Sequence, residues 1–162
     1  AKDHMFPEKI APDVERKYQN IRARYQRVLE DYGDCGSRGM LDQVLEKYSL
    51  DRIEGPHCYE MYGGPKFDEL MAEEPGTFFL TDFLVRGFQG TIWRGLGLDR
   101  YPELLDAYFH NYRRLIYFSQ THDDMLIDKA HEIARVLSLP LTIIHTEYGM
   151  LEQRLREWME TE

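Results

Sequence analysis

Two cysteines occur in the chain, and each stands in a glycine-bearing corner among polar residues. The first corner is Tyr32-Gly33-Asp34-Cys35-Gly36-Ser37-Arg38-Gly39, and the second is Gly55-Pro56-His57-Cys58-Tyr59-Glu60. Glycines at 33, 36 and 39 let the backbone turn sharply and approach a ligand closely. A thiol at a helix N-terminus has its thiolate stabilised by the unpaired N–H groups there, while the neighbouring Asp34 opposes ionisation. Cys35 therefore reads as a nucleophile or soft-metal ligand, or else as a small hydrophobe buried in a tight turn. His57 and Cys58 are adjacent, so their side chains leave the backbone in different directions. The Cys-x-x-Cys spacing of structural zinc sites is absent. If the two corners close adjacent strands, Cys35, His57 and Cys58 meet in space. Two thiolates and one imidazole suit zinc with an open fourth position, or cobalt. Glu60 would then stand behind the ion as a base. In the alternative, His57 caps a helix and Cys58 packs inside.

Other polar clusters are expected at strand ends, where open α/β sheets keep their ligands. Thr81-Asp82 ends a candidate strand, and its plainest reading is a helix cap. His122-Asp123-Asp124 and His145-Thr146-Glu147-Tyr148 follow two further strands, with Asp123 and Asp124 explained as caps. The candidate ligand-binding residues are Gly33, Asp34, Gly36, Arg38, Tyr59, Thr81 and Asp82. The candidate catalytic residues are Cys35 and Glu60, and the candidate metal ligands are Cys35, His57 and Cys58. No Gly-x-Ser-x-Gly elbow, Walker loop or His-Glu-x-x-His is present, which removes most weight from hydrolase, nucleotidase and zincin readings.

The elements that must position these residues follow from periodicity. Residues 1–12 read as irregular. Val14, Tyr18, Ile21 and Tyr25 recur at helical spacing, predicting a helix over 13–25. Strands are expected over 27–32, 50–53, 77–80, 114–118 and 141–145. Ser37 is placed to cap a helix with the apolar face Met40, Leu41, Val44, Leu45 and Tyr48. Helical segments follow at 57–62, 67–72, 83–93 and 101–110. Leu126, Ile127, Ala130, Ile133, Ala134 and Leu137 mark a helix over 125–137, and His131 falls on its solvated face. A closing helix runs over 148–159, with Met150, Leu151 and Leu155 read as core. Strand, helix, strand, helix at this spacing implies right-handed crossovers and a parallel sheet. The expected fold is one three-layer, Rossmann-like α/β domain over residues 1–162, with a mostly parallel sheet and helices on both faces.

The chain's 162 residues suffice for one domain with a full core. A net charge of −9 argues against nucleic-acid or acidic-membrane binding. No apolar run is long enough to span a bilayer. Two cysteines form no disulfide framework, so a cytoplasmic location is expected. An aromatic content of 13% suits either a wide polar cleft or an oligomer interface.

Three stretches together carry a resemblance: Tyr32-Gly33-Asp34-Cys35-Gly36, Gly55-Pro56-His57-Cys58-Tyr59-Glu60 and Pro75-Gly76-Thr77-Phe78-Phe79-Leu80-Thr81-Asp82. From about Phe6 onward the chain resembles a family of bacterial and archaeal proteins classed as a domain of unknown function, often encoded beside corrinoid proteins and corrinoid-dependent methyltransferases. The resemblance implies a Rossmann-like fold and a link to cobalamin-dependent methyl transfer, with zinc or a corrinoid as cofactor. It implies a corrinoid protein or methyltransferase as partner. Members of that family begin with an additional upstream strand, so the chain is expected to lack an N-terminal strand. Two departures stand out: Leu29-Glu30-Asp31 is more acidic than the family's buried strand, and Ser37-Arg38 replaces smaller residues, so that Arg38 is expected to reach a pocket. The expected function is an accessory protein or enzyme of corrinoid and one-carbon metabolism. The alternative is a non-catalytic module that docks a corrinoid protein or a small anionic ligand.

Overall fold

The computed structural model describes residues 6–30, 36–52 and 58–160, Cys58 by its backbone alone. After a 3-10 turn at Pro7–Lys9, the elements run α1 (Ile10–Ile21), β1 (Leu29–Glu30), α2 (Met40–Tyr48), β2 (Asp51–Arg52), α3 (Cys58–Gly63) and α4 (Pro65–Glu73). Then follow β3 (Thr77–Thr81), α5 (Asp82–Phe88), a π-helical segment at Gln89–Trp93, α6 (Leu104–Phe109), β4 (Arg114–Ser119), α7 (Asp124–Leu137), β5 (Leu141–His145) and α8 (Gly149–Glu160). The chain divides into two compact units, a central one at Tyr59–Met150 and a terminal one made of Ala1–Cys58 and Leu151–Glu162.

In the central unit, β4 is buried from Leu115 to Ser119. A strand covered on both faces needs apolar residues in unbroken succession. Alternate side chains feed two clusters. Leu115 and Tyr117 join Leu80, Val85, Phe88, Leu126, Ala130 and Ile133 on the α5 and α7 side. Ile116 and Phe118 join Phe79, Leu70, Tyr59 and Phe67 on the α3 and α4 side. The strands lie in the order β3-β4-β5 and pair in parallel, with Leu80 opposite Tyr117 and Tyr117 opposite Ile143. The result is a three-layer arrangement, helices on both faces of a parallel sheet, and the fold is Rossmann-like α/β.

The terminal unit repeats the parallel logic on a smaller scale. β1 and β2 pair in parallel, Leu29 opposite Asp51 and Glu30 opposite Arg52. A small core of Ile10, Val14, Leu41 and Leu45 joins α1 to α2. Glu15 ties the same helices together, accepting hydrogen bonds from Lys47 Nζ and Tyr48 Oη, each at 2.7 Å. Trp158 of α8 donates Nε1 to Asp51 Oδ2 at 2.7 Å, and the Arg27 guanidinium lies 4.1 Å from its ring centroid. Among the described residues, no helix is long and apolar enough to cross a membrane.

Several boundaries differ from the expectations. α1 begins at Ile10 rather than Asp13, because Pro12 occupies a first-turn position whose N–H has no helical acceptor; it ends at Ile21, leaving Tyr25 exposed. Gly39, not Ser37, is the N-cap of α2: its φ of 81° turns the chain into the helix without a side-chain cap. Ser37 is instead buried, and its carbonyl accepts from Met40 N. The helix expected over 83–93 is α only to Phe88 and becomes π-helical around Gly90, where the weak helix preference of glycine lets the turn widen. The helix expected from Tyr101 starts at Leu104, preceded by turns. No described residue of α8 is buried, and Leu155, read as core, is exposed. A helix with a strongly charged sequence keeps its leucines only partly covered.

Gly63 supplies a test of the packing on the α4 side. A Cβ there would stand 2.6 Å from Phe118 Cζ. That ring is fully buried and stacked on Phe79 at 5.3 Å between centroids, so it has nowhere to retreat. Gly63→Ala gains up to about 1 kcal/mol in helix propensity but overpacks the core at a cost of about 1–3 kcal/mol. Urea denaturation is expected to show a net loss of stability.

Candidate functional site

Parallel strands bring their carboxyl ends to one edge, and polar residues collect there in the central unit. Thr81 closes β3 and Asp82 opens α5, both buried. Asp82 is not the helix cap that its position implies: neither it nor Thr81 makes a side-chain cap bond. Its Oδ1 accepts from Tyr117 Oη at 2.7 Å and from Gln120 N at 2.9 Å, and its Oδ2 accepts from Thr121 Oγ1 at 2.6 Å. Gln120 returns the contact, Oε1 accepting from Asp82 N at 2.8 Å, while its Nε2 donates to Phe118 O at 2.6 Å. A buried carboxylate is tolerable only when donors replace water, and these donors all come from β4 and the segment after it. Asp82 thus clamps the end of β3 to the exit of β4.

The same edge continues outward. Asp123 caps α7, its Oδ1 accepting from Met125 N at 3.0 Å, and its Oδ2 lies 3.7 Å from Arg86 Nη2. Thr146 N donates to Ser119 O at 2.9 Å, which fixes the exit of β5 against that of β4. His122 and His145 are exposed there with ring centroids 4.6 Å apart. Burial pushes the Tyr117 hydroxyl well above the usual tyrosine range, and its bond to the Asp82 carboxylate pushes the same way.

The terminal unit holds both cysteines. Gly33, Asp34, Cys35 and His57 lie outside the described residues, and so does the expected Cys35–His57–Cys58 convergence. Cys58 begins α3. Gly36 and Arg38, in the described part of the first corner, have φ of 85° and 54°, and Arg38 is exposed. Tyr59 and Glu60 belong to the central unit. Tyr59 packs in the aromatic cluster against Phe67 and Phe79, and Glu60 is half-buried on α3. Among the described residues no group of three or more His, Cys, Asp or Glu side chains could hold a metal ion. The Asp82 partners Tyr117, Gln120 and Thr121 were not anticipated. Tyr117 sits inside an apolar strand pattern, and the one signal was its hydroxyl, which needs a partner when buried.

A family model described as "Protein of unknown function (DUF1638)" matches residues 1–155. The chain belongs to this family. No curated protein and no solved structure matches it. Membership of DUF1638 agrees with the resemblance to a domain of unknown function and assigns no role to any residue.

Removing the clamp tests its weight. Asp82→Ala removes the carboxylate that accepts from the buried Tyr117 hydroxyl and frees the segment after β4, for an expected loss of about 2–4 kcal/mol in chemical denaturation. Tyr117→Phe should cost about 1 kcal/mol. The raised value of Tyr117 fixes a pH dependence as well. The unfolded tyrosine ionises first, so its contribution is complete below a pH of about 10 and is lost as pH rises from there through the folded value. Alkaline unfolding curves of Tyr117→Phe should lack that share of the slope.

Proposed function

We propose that this DUF1638 protein is an accessory protein or enzyme of corrinoid-linked one-carbon metabolism, with a thiol- or zinc-dependent centre built from Cys35, His57 and Cys58. The observation that carries the reading is the pairing of β1 with β2. Glu30 and Arg52 are in register on parallel neighbouring strands. Cys35 lies five residues beyond Glu30, and His57 five beyond Arg52, with Cys58 next. Strands in register are about 4.8 Å apart, so equal lengths of sequence separate two neighbouring strand ends from a thiol and an imidazole. That pairing is what supports the reading that the two corners share one site. The corrinoid link rests on the motif resemblance alone.

Two thiolates and one imidazole match the donor set of a zinc site with an open position. When bound, zinc holds a coordinating thiol deprotonated at neutral pH. The chemistry in this reading is methyl transfer: a thiolate sulfur attacks the methyl carbon of a methyl donor, the new S–C bond forms, and the departing group keeps the electron pair. A second reading, a module that docks a corrinoid protein or small anion, is favoured by the exposure of Arg38 beside the first corner.

Metal analysis coupled to native thiol titration tests the reading. Untagged protein is expected to carry about one zinc per chain and to lose it in both Cys35→Ser and Cys58→Ser. Metal-free protein whose two thiols are unreactive until denaturation would sink the proposal. A metal-free protein that binds a corrinoid protein, and loses that binding in Arg38→Glu, would establish the second reading.

A further inference from the structure

We infer that His122 and His145, at the carboxyl edge of the central sheet, form a second metal site, independent of the cysteine corners. Three observations lead there. The rings belong to the exits of adjacent parallel strands: Ser119 pairs with His145, and its backbone carbonyl accepts from Thr146 N at 2.9 Å. Both stretches of backbone are pinned: Thr121 bonds to Asp82 on one side of His122 and Asp123 caps α7 on the other, and next to His145 the Thr146 amide donates to Ser119 O. Both imidazoles are exposed, and no hydrogen bond from a described residue occupies their ring nitrogens.

Their separation fits a shared ion. A ligating nitrogen lies about 2.1 Å from zinc, which puts the ring centroid about 3.2 Å away; two rings at angles of about 90–109° then stand about 4.5–5.3 Å apart. The observed separation is 4.6 Å. The protein supplies two ligands here, because no larger group of ligating side chains converges among the described residues. The site therefore takes a borderline divalent ion such as zinc, nickel or copper, for which imidazole is a suitable ligand, and leaves the other positions to water or a small chelating molecule. Asp123, Asp124 and Glu147, on the same two segments, add negative charge that favours a cation.

The test uses the full chain carrying Cys35→Ser and Cys58→Ser, so that thiols contribute nothing. Zinc alone is titrated, and imidazole nitrogen resonances are followed by NMR. The His122 and His145 signals are expected to move together and saturate at one equivalent while those of His110 and His131 stay. Loss of an outer partner of a ligand already weakens metal binding about 10–100-fold, so His122→Ala and His145→Ala should each weaken it by at least that much. Unmoved His122 and His145 signals, or unchanged affinity in either alanine variant, would overturn the site; the rings would then be a stacked pair only. Should the serine variant not fold, cobalt is titrated into the native chain. There the imidazole resonances report this site, and thiolate-to-cobalt absorption reports the cysteine centre, so either can fail without the other.

Discussion

Parallel pairing constrains everything else in this protein. In a parallel sheet every strand ends at the same edge, so whatever chemistry the loops carry is gathered there without further design. Both units obey this rule. In the central unit it brings the exits of β3, β4 and β5 together, and in the terminal unit it ends β1 and β2 at one edge. The helices between strands follow from the same constraint, because parallel neighbours require a crossover that must pack on a face. The unbroken apolar run of β4 is the sequence consequence.

Within the central unit, the buried Asp82 carboxylate turns a common edge into a defined one. A charge taken out of water without partners would cost several kcal/mol, and the Tyr117 hydroxyl, the Gln120 amide and the Thr121 hydroxyl are the compensation. Because these donors lie on β4 and its exit while the acceptor lies on the β3–α5 junction, the network cannot be satisfied unless both strand ends are in register. The electrostatic cost of Asp82 therefore specifies geometry more than it adds stability.

Legibility in the sequence tracked how strongly local pattern and tertiary need agreed. β5 and α7 were readable nearly to the residue because the apolar pattern of each, and for α7 the Asp123 cap, agree with the packing. The parallel, three-layer fold followed from strand–helix alternation. α2 was readable as a helix, but its cap was not, because a left-handed Gly39 does the work that Ser37 could have done. Asp82 was misjudged for a related reason. An acidic residue after a strand and before a helix has two uses, capping or bridging, and only the long-range position of Tyr117 selects between them. The π-helical segment at Gln89–Trp93 carries no periodicity distinct from an α-helix, so it merged with α5. His122 and His145 were each visible as strand-end residues, but their proximity depends on the β4–β5 register.

The two edges differ in what holds them. β3, β4 and β5 share long ladders and two apolar clusters, so their edge exists before any ligand arrives. β1 and β2 have two described residues each, and a short two-stranded ribbon is marginal on its own. Side chains reinforce it: Trp158 bonds to Asp51, Arg27 stacks on Trp158 and donates to its carbonyl at 2.9 Å, and Arg52 lies 2.6 Å from Asp42. Most of these contacts are exposed or charged and contribute little individually. An occupant that bridged the segments after β1 and β2 would add its binding free energy to a weak pairing, and by linkage the ribbon and the occupant would stabilise each other. The same occupant on the central edge would find its geometry already set by Asp82 and would spend little of its binding free energy on ordering the strand ends. Ladder length thus separates the two edges: five-residue ladders hold the central one, and two paired positions hold the described part of the terminal one.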